Sequence, residues 1–319
     1  MNPTKEGVFM EYRMLGRSGL KVSEIGLGCN NFGPRTDKET SMNIINYALE
    51  MGINFIDTAE MYGQGRSEEI VGQAVKGKRS RVIIATKFGH PKSMRANQQG
   101  GSRSYIMEAV DASLRRLNTD YIDLYYFHYP DPETQIQETL RALDDLVQSG
   151  KVRYIGCSNF AAWQLCEALW TSKFNNLESF ITVQSRYNLL DRSIERELVP
   201  CCQTYGIGVI PWGPLASGFL TGKYRHGHKI PPGARLENPP TIYNDILTDA
   251  NFDKLAKLEA FAKARGHSVG ELAIAWLLSH PWLSSVIAGA MNIEQLSANF
   301  AATDWRLTTE DIVQLDKLL

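Results

Sequence analysis

Residues 52–72 read GINFIDTAEMYGQGRSEEIVG. The stretch opens as a short apolar run and closes as the polar first turn of a helix, with Gly63 and Gly65 marking the turn between them. Asp57 stands where the apolar run ends, and Tyr62 follows in the glycine-bounded turn. Taken alone, an acid there is a turn former and a tyrosine there a half-buried anchor. The informative part is the order, strand and then helix, because the rest of the chain repeats it.

Working outward, β-rich apolar runs fall at 22–28, 54–59, 81–87, 121–128, 152–158, 180–185, 208–212 and 284–289. Near-continuous apolar runs suit strands buried on both faces, as in a parallel sheet. Between them, segments 38–51, 67–75, 104–117, 136–148, 161–171, 194–205 and 252–265 carry apolar residues at helical spacing, as do 272–278 and 293–301. Gly52, Gly150, Gly206 and Gly266 stand where helix C-terminal glycines belong. Repeated strand–helix units of this kind predict an α/β chain folded as a (β/α)8 TIM barrel, one domain over 1–319 with a disordered tail at 1–10. A doubly wound sheet is the weaker alternative, since GLGCNNFG lacks the GxGxxG spacing. Ahead of the first barrel strand, EYRMLGRSGLKVSEIG reads as a hairpin turning at 17–19 that closes the bottom of the barrel. A Pro- and Gly-rich connection at 225–250 is long enough to be functional.

Composition narrows the function classes. The 319 residues are 43% apolar and 22% charged, with a net charge of −1, which gives no case for a nucleic-acid or anionic-membrane surface. No apolar run approaches the roughly 18 residues of a membrane span, and MNPTKEGVFMEYR has no apolar core of a secretory leader. Five cysteines (Cys29, Cys157, Cys166, Cys201 and Cys202) without a CxxC are expected as reduced thiols in the cytoplasm. The pair His226 and His228 resembles metal ligands superficially but lies in the long connection, away from any strand, so no metal is expected.

In a barrel of this type the site lies at the C-terminal ends of the strands. The second strand brings Asp57 there, with Tyr62 just beyond; the third brings Lys87 and the fourth His128. The later strands bring Ser158 and Asn159, Gln184 and Trp212. Burying so many polar groups at one end costs free energy unless they pair or act. A buried Lys87 needs a counter-charge, which Asp57 supplies. A lysine beside Tyr62 is expected to lower the phenol's pKa from about 10 towards neutrality, making it a proton donor to a carbonyl oxygen. His128 can hydrogen-bond the same oxygen. The chemistry implied is carbonyl reduction, which needs a hydride donor, and an organic cofactor is the natural one.

At this point the residues resemble a known family. The segments GINFIDTAEMYGQGRSEEIVG, VIIATKFG, DYIDLYYFHYPDP, GKVRYIGCSNF, VQSRYNLLDR and GVIPWGPLASGFLTGKY are similar, in that order, to segments of the aldo-keto reductases. The likeness is closest to the branch of bacterial aldehyde and sugar reductases and potassium-channel β subunits. It implies a catalytic tetrad of Asp57, Tyr62, Lys87 and His128, and a nicotinamide cofactor extended across the barrel mouth. It implies that Ser158, Asn159 and Gln184 hold the carboxamide and that Trp212 stacks on the ring. Gly213, Pro214, Leu215, Ser217, Gly218 and Leu220 would wrap the pyrophosphate, and Lys223 would reach phosphate. VIAGAMNIEQLSAN matches the segment for the adenosine end through Gly289, Gln295 and Asn299. Met291 departs from the Ser, Thr or basic residue common there, and Arg235 could supply that charge instead. NADPH is therefore the expected cofactor and NADH the other candidate. The expected function is reversible reduction of an aldehyde or ketone, a sugar among them. The alternative is a regulatory nicotinamide-binding subunit of a membrane protein. Pocket walls are expected from 30–35, 90–101, Tyr129, Trp163 or Arg186, and 225–250, with Phe32 and Tyr129 as an apolar patch. No nucleic-acid or membrane partner is expected, and the sequence does not determine the oligomeric state.

Overall fold

The computed structural model describes residues 10–91, 100–237, 243 and 245–319. Two short antiparallel strands, β1 (Tyr12–Met14) and β2 (Lys21–Ser23), form the hairpin. Eight parallel strands follow: β3 (Ile25–Gly28), β4 (Phe55–Asp57), β5 (Ile83–Phe88), β6 (Ile122–Phe127), β7 (Val152–Ser158), β8 (Thr182–Arg186), β9 (Gly208–Trp212) and β10 (Val286–Gly289). They close into a barrel in chain order, with β10 pairing β3. The (β/α)8 expectation holds, and the doubly wound alternative does not.

Helices α1 (Lys38–Glu50), α2 (Arg66–Ala74), α3 (Arg103–Leu117), α4 (Ile136–Gln148), α5 (Ala162–Asn175) and α6 (Leu198–Tyr205) each follow one strand. Two helices, α7 (Asp249–Lys263) and α8 (Val269–Leu278), separate β9 from β10, and α9 (Ile293–Ala301) and α10 (Thr309–Leu318) end the chain. Local chemistry sets several boundaries. Asp37 caps α1 by accepting from Thr40 N–H, and Ser268 and Glu271 form a reciprocal capping box on α8.

Some boundaries differ from the sequence reading. Val22 belongs to the hairpin, so the first barrel strand begins at Ile25. The helical spacing over 194–205 is broken into a short 3₁₀ turn, Ser193–Glu195, and α6. A continuous helix would put Pro200 in its interior, where the missing N–H and the ring clash cost about 3 kcal/mol; starting at Leu198 places it in the first turn. Of the expected tail, Met10 packs against the core, and residues 1–9 lie outside the described residues.

Strand periodicity explains where the site points. Phe55, Ile83, Ala85, Leu124, Tyr126, Ile210 and Ile287 fill the barrel interior, and Leu15 and Val22 of the hairpin join them as the plug at its bottom. Ile56, Ile84, Tyr125 and Phe127 belong instead to the larger core between strands and helices. Side chains alternate along a strand, so two steps on from an inward residue is inward again. Asp57 follows Phe55, Lys87 follows Ala85, His128 follows Tyr126, and Trp212 follows Ile210. All four therefore face the barrel axis in the layer above the apolar plug. Each large apolar side chain buried below is worth about 1.5–3 kcal/mol, and this layer is the floor on which the polar groups are held.

Candidate active site

Lys87 is fully buried, and its Nζ donates to Asp57 Oδ1 at 2.6 Å and to the Thr58 carbonyl at 2.8 Å. The Tyr62 hydroxyl is 3.4 Å from the same Nζ. Burial alone would lower the Lys87 pKa, but the Asp57 charge and the hydrogen bonds outweigh it, and the group is raised and stays cationic. Asp57 has a second anchor that the sequence reading missed: Gln184 Nε2 donates to Asp57 Oδ2 at 2.8 Å. Both carboxylate oxygens are thus occupied, and Lys87 is fixed on the side facing Tyr62.

The direction of the Tyr62 shift corrects the expectation. Burial raises the phenol's pKa by more than Lys87 lowers it, so the net shift is upward. The depth of the hydroxyl decides this, and depth is not legible in the sequence. Tyr62 is consequently a protonated phenol with a cation beside it. His128 lies edge-on to it, with ring centroids 6.1 Å apart. Burial, then Lys87 and His90, hold the His128 pKa well below the usual imidazole value, so the ring is neutral. Its Nδ1 is buried and has no hydrogen-bond partner among the described residues. The arrangement offers a proton from Tyr62 and a neutral imidazole hydrogen bond at one point.

A cleft of about 720 Å³ runs from this point across the barrel mouth. It brings together Asp57, Tyr62, His128, Ser158, Asn159, Gln184, Trp212, Gly213, Pro214, Leu215, Ser217, Gly218, Lys223, Arg235, Gly289, Met291, Gln295 and Asn299. Lys87 lies beneath this lining, in contact with Asp57 and Tyr62, and Leu220 is turned away from the cleft. For Leu220 the expectation fails. Its side chain is fully buried in the core and its N–H is taken by the Leu215 carbonyl, because the 215–222 segment folds inward after its left-handed turn at Ser217 and Gly218. Phe32 is likewise core rather than wall, Trp163 stands 66% exposed outside the cleft lining, and Arg186 is paired with Asp191 and Asp245. His90 and Tyr129 do line the cleft, whereas 92–99 of the expected 90–101 wall and 238–242 and 244 of the long connection lie outside the described residues.

The polar groups near Tyr62 brace one another. Ser158 Oγ donates to the Gln184 carbonyl at 2.9 Å, Asn159 Nδ2 donates to the His128 carbonyl at 3.0 Å, and Trp212 Nε1 donates to Asn159 Oδ1 at 3.1 Å. At the far end, Arg235 Nη1 donates to Asn31 Oδ1 at 3.0 Å, Asn299 Nδ2 donates to the Gly289 carbonyl at 3.3 Å, and Gln295 Oε1 accepts from Met291 N–H at 3.0 Å. The sequence reading missed Ser268, Gly270 and Glu271 in the lining. Their signal was present as the Ser-x-x-Glu capping box. His226 Nε2 sits 2.7 Å from Asp249 in an exposed pair, and no cluster with metal-ligand composition occurs among the described residues. No described helix is long and apolar enough to cross a membrane.

Comparison with known proteins agrees with the fold. Residues 24–319 match the model of the aldo/keto reductase family. The chain is similar to a probable voltage-gated potassium channel subunit beta of Oryza sativa subsp. japonica, 40% identical with 92% of each chain covered. It is similar to versiconal hemiacetal acetate reductase of Aspergillus parasiticus, 37% identical over 97% of this chain and 96% of that one. It is also similar to L-glyceraldehyde 3-phosphate reductase of Escherichia coli O157:H7, 35% identical over 99% and 94%. With the barrel, its plug and a match over nearly its whole length, the chain belongs to the aldo/keto reductase family.

Proposed function

We propose that the protein reduces an aldehyde or ketone to the alcohol, reversibly, with NADPH as hydride donor. One observation carries the reading: Lys87 Nζ sits between Asp57 Oδ1 and the Tyr62 hydroxyl, beside a neutral His128, at the floor of an open cleft. The cleft has the form a dinucleotide needs. Beyond Trp212, the space a side chain at Gly213 would enter is empty, and the backbone then turns left-handed at Ser217 and Gly218, where a Cβ on Gly218 would stand 2.8 Å from Lys223 Nζ, so the glycine leaves that amine its place at the cleft. When bound, a reduced nicotinamide supplies hydride to the carbonyl carbon.

The chain's own residues do the rest. Tyr62 gives its proton to the carbonyl oxygen as charge develops there, and Lys87 stabilises the phenolate that results. His128 donates a hydrogen bond to the same oxygen and orients it. Asp57 and Gln184 keep Lys87 aimed at Tyr62. In the reverse direction the phenolate accepts the alcohol proton. Ser158, Asn159, Gln184 and Trp212 would hold the nicotinamide end, Gly213, Pro214, Leu215, Ser217, Gly218 and Lys223 the phosphates, and Gly289, Met291, Gln295 and Asn299 the adenosine end. Five free thiols fit a reducing cytoplasm.

Arg235 is the charge available for a 2′-phosphate, since Met291 offers none. Changing Arg235→Gln should weaken NADPH roughly tenfold or more, the worth of a lost charge-assisted hydrogen bond, and leave NADH unchanged. Steady-state turnover with each cofactor over a panel of aldehydes, ketones and sugars checks this and the reading itself. The second reading, a nicotinamide-binding subunit of a membrane protein, is favoured by the channel-subunit names among relatives at 40% identity. Binding of NADPH without turnover of any carbonyl would support it.

A further inference from the structure

Glu60 takes part in no step described so far, yet its contacts tie the Tyr62 turn to β5. Thr58 N–H donates to the Ala85 carbonyl at 2.8 Å, and Glu60 N–H donates to the Lys87 carbonyl at 3.2 Å. The next rung of that ladder falls on Gly89, where the facing main chain has already turned away towards Tyr62. The Glu60 side chain supplies the missing acceptor: Gly89 N–H donates to its Oε1 at 3.1 Å. The Tyr105 hydroxyl of α3 donates to the same oxygen at 2.5 Å. Gly89 has φ of +80°, and a Cβ there would stand 2.7 Å from the Phe127 ring, so this joint has no slack. Beyond it, the His90 ring packs edge-on against His128 and Tyr129, 5.1 Å from each. One carboxylate therefore braces the turn bearing Tyr62 and the wall bearing His128.

We propose that Glu60 is a positioning residue of the reduction, its ionised carboxylate holding Gly89 and the His90–His128 wall in register with Tyr62. The inference rests on the reductase reading above. Two donors on one oxygen favour the charged form, because a charge-assisted hydrogen bond is roughly twice as strong as a neutral one. Burial opposes it and raises the carboxyl to about 7. Tyr105 pulls the other way, Glu68 of α2 adds to the rise, and Gly89 N–H and Arg116 of α3 lower it. Glu68 is itself held by Thr86 at 2.6 Å and Arg116 at 2.6 Å. Tyr125 of β6, whose buried hydroxyl has no partner among the described residues, feels the Glu60 charge more than any other. The brace thus tightens and slackens near neutral pH, as the charge-assisted part of its two hydrogen bonds is gained and lost, while Tyr62 stays protonated and His128 neutral. The sign for stability is opposite. A carboxyl raised in the folded state stabilises fully below its unfolded pKa of about 4.3 and loses that contribution as pH rises through about 7. Activity should rise through the titration while stability falls.

The test compares wild type, Glu60→Gln, Glu60→Ala and Tyr62→Phe with NADPH and benzaldehyde between about pH 5 and 9. NADPH affinity is followed by fluorescence and the unfolding temperature is measured at each pH. Wild-type kcat is expected to climb roughly tenfold to a hundredfold through neutrality, the cost of a misplaced catalytic group. Glu60→Gln should be flat with pH at the wild-type acid level, with NADPH affinity retained, and Glu60→Ala no higher. The wild-type unfolding temperature should fall relative to Glu60→Gln as pH rises through about 7. A Glu60→Gln enzyme with wild-type kcat and the same acid limb overturns the proposal. So does a gap in unfolding temperature that is constant with pH. Equal turnover by Tyr62→Phe and wild type would instead sink the reductase reading on which the proposal rests, and is told apart by the control alone.

Discussion

Changing Tyr62→Phe is expected to lower kcat by about 10²–10⁴-fold, the usual contribution of a general acid, with NADPH affinity unchanged. The substitution removes one oxygen and keeps the ring, so the edge contact with His128 survives. The Lys87–Asp57 pair survives too, since Lys87 keeps its bonds to Asp57 and the Thr58 carbonyl. Loss of turnover then reports loss of the proton alone. The pH profile carries a second signature. Burial holds the Tyr62 pKa above its ordinary value, so reduction should not fade on the alkaline side below about pH 10. An alkaline loss of kcat near neutrality would mean that another group is the acid.

Lys87→Met should cost both activity and stability. Asp57 is 2% exposed and would be left as a buried charge whose only remaining described side-chain partner is Gln184. Breaking a buried pair from one side costs about 3–5 kcal/mol, whereas replacing both partners is often close to neutral. The double change Asp57→Asn with Lys87→Met should therefore be less destabilised than the single lysine change, although neither protein should turn over a carbonyl. Urea unfolding midpoints decide the stability part. A Lys87→Met protein as stable as wild type would show that the pair is not held in the dry geometry described above. The pair also has a pH consequence. The raised Lys87 pKa contributes stability that is fully present below the unfolded lysine value of about 10.4 and is lost as pH rises through the folded one.

Much of the architecture could be read from the chain because parallel barrel strands are buried on both faces. That burial writes near-continuous apolar runs, and eight of them alternating with helical segments suit a barrel. The inward direction of Asp57, Lys87, His128 and Trp212 follows from the same two-residue alternation. Helix ends with a local chemical cause were legible, as at Gly206, whose left-handed backbone closes α6. The last helix, Thr309–Leu318, escaped notice because its face is largely polar, although Thr308 and Asp311 form a capping box at its start. What could not be read depends on contacts made in space. Tyr62 looked like a phenol lowered by its lysine, and only its burial reverses the direction. Gln184 looked like a free carboxamide ligand, and only the closed barrel brings it to Asp57 across 127 positions of chain. Leu220 sits in a glycine-rich segment that invites a ligand, and only the left-handed turn before it sends its side chain into the core. Glu60 gains its partner from α3, 45 positions away.

Transfer of hydride to a carbonyl in this cleft is open to direct measurement. The direct measurement is isotopic: the protein is given NADPH deuterated at the transferable position of the nicotinamide, with aldehydes and ketones in turn, and the alcohols are weighed by mass spectrometry. Wild type should give alcohol with one deuterium on the carbinol carbon, and Tyr62→Phe about a hundredfold less of that alcohol, or lower still, in the same time. Tight binding of the cofactor with no deuterated alcohol from any carbonyl would contradict it, and would move the reading to a nicotinamide-binding subunit.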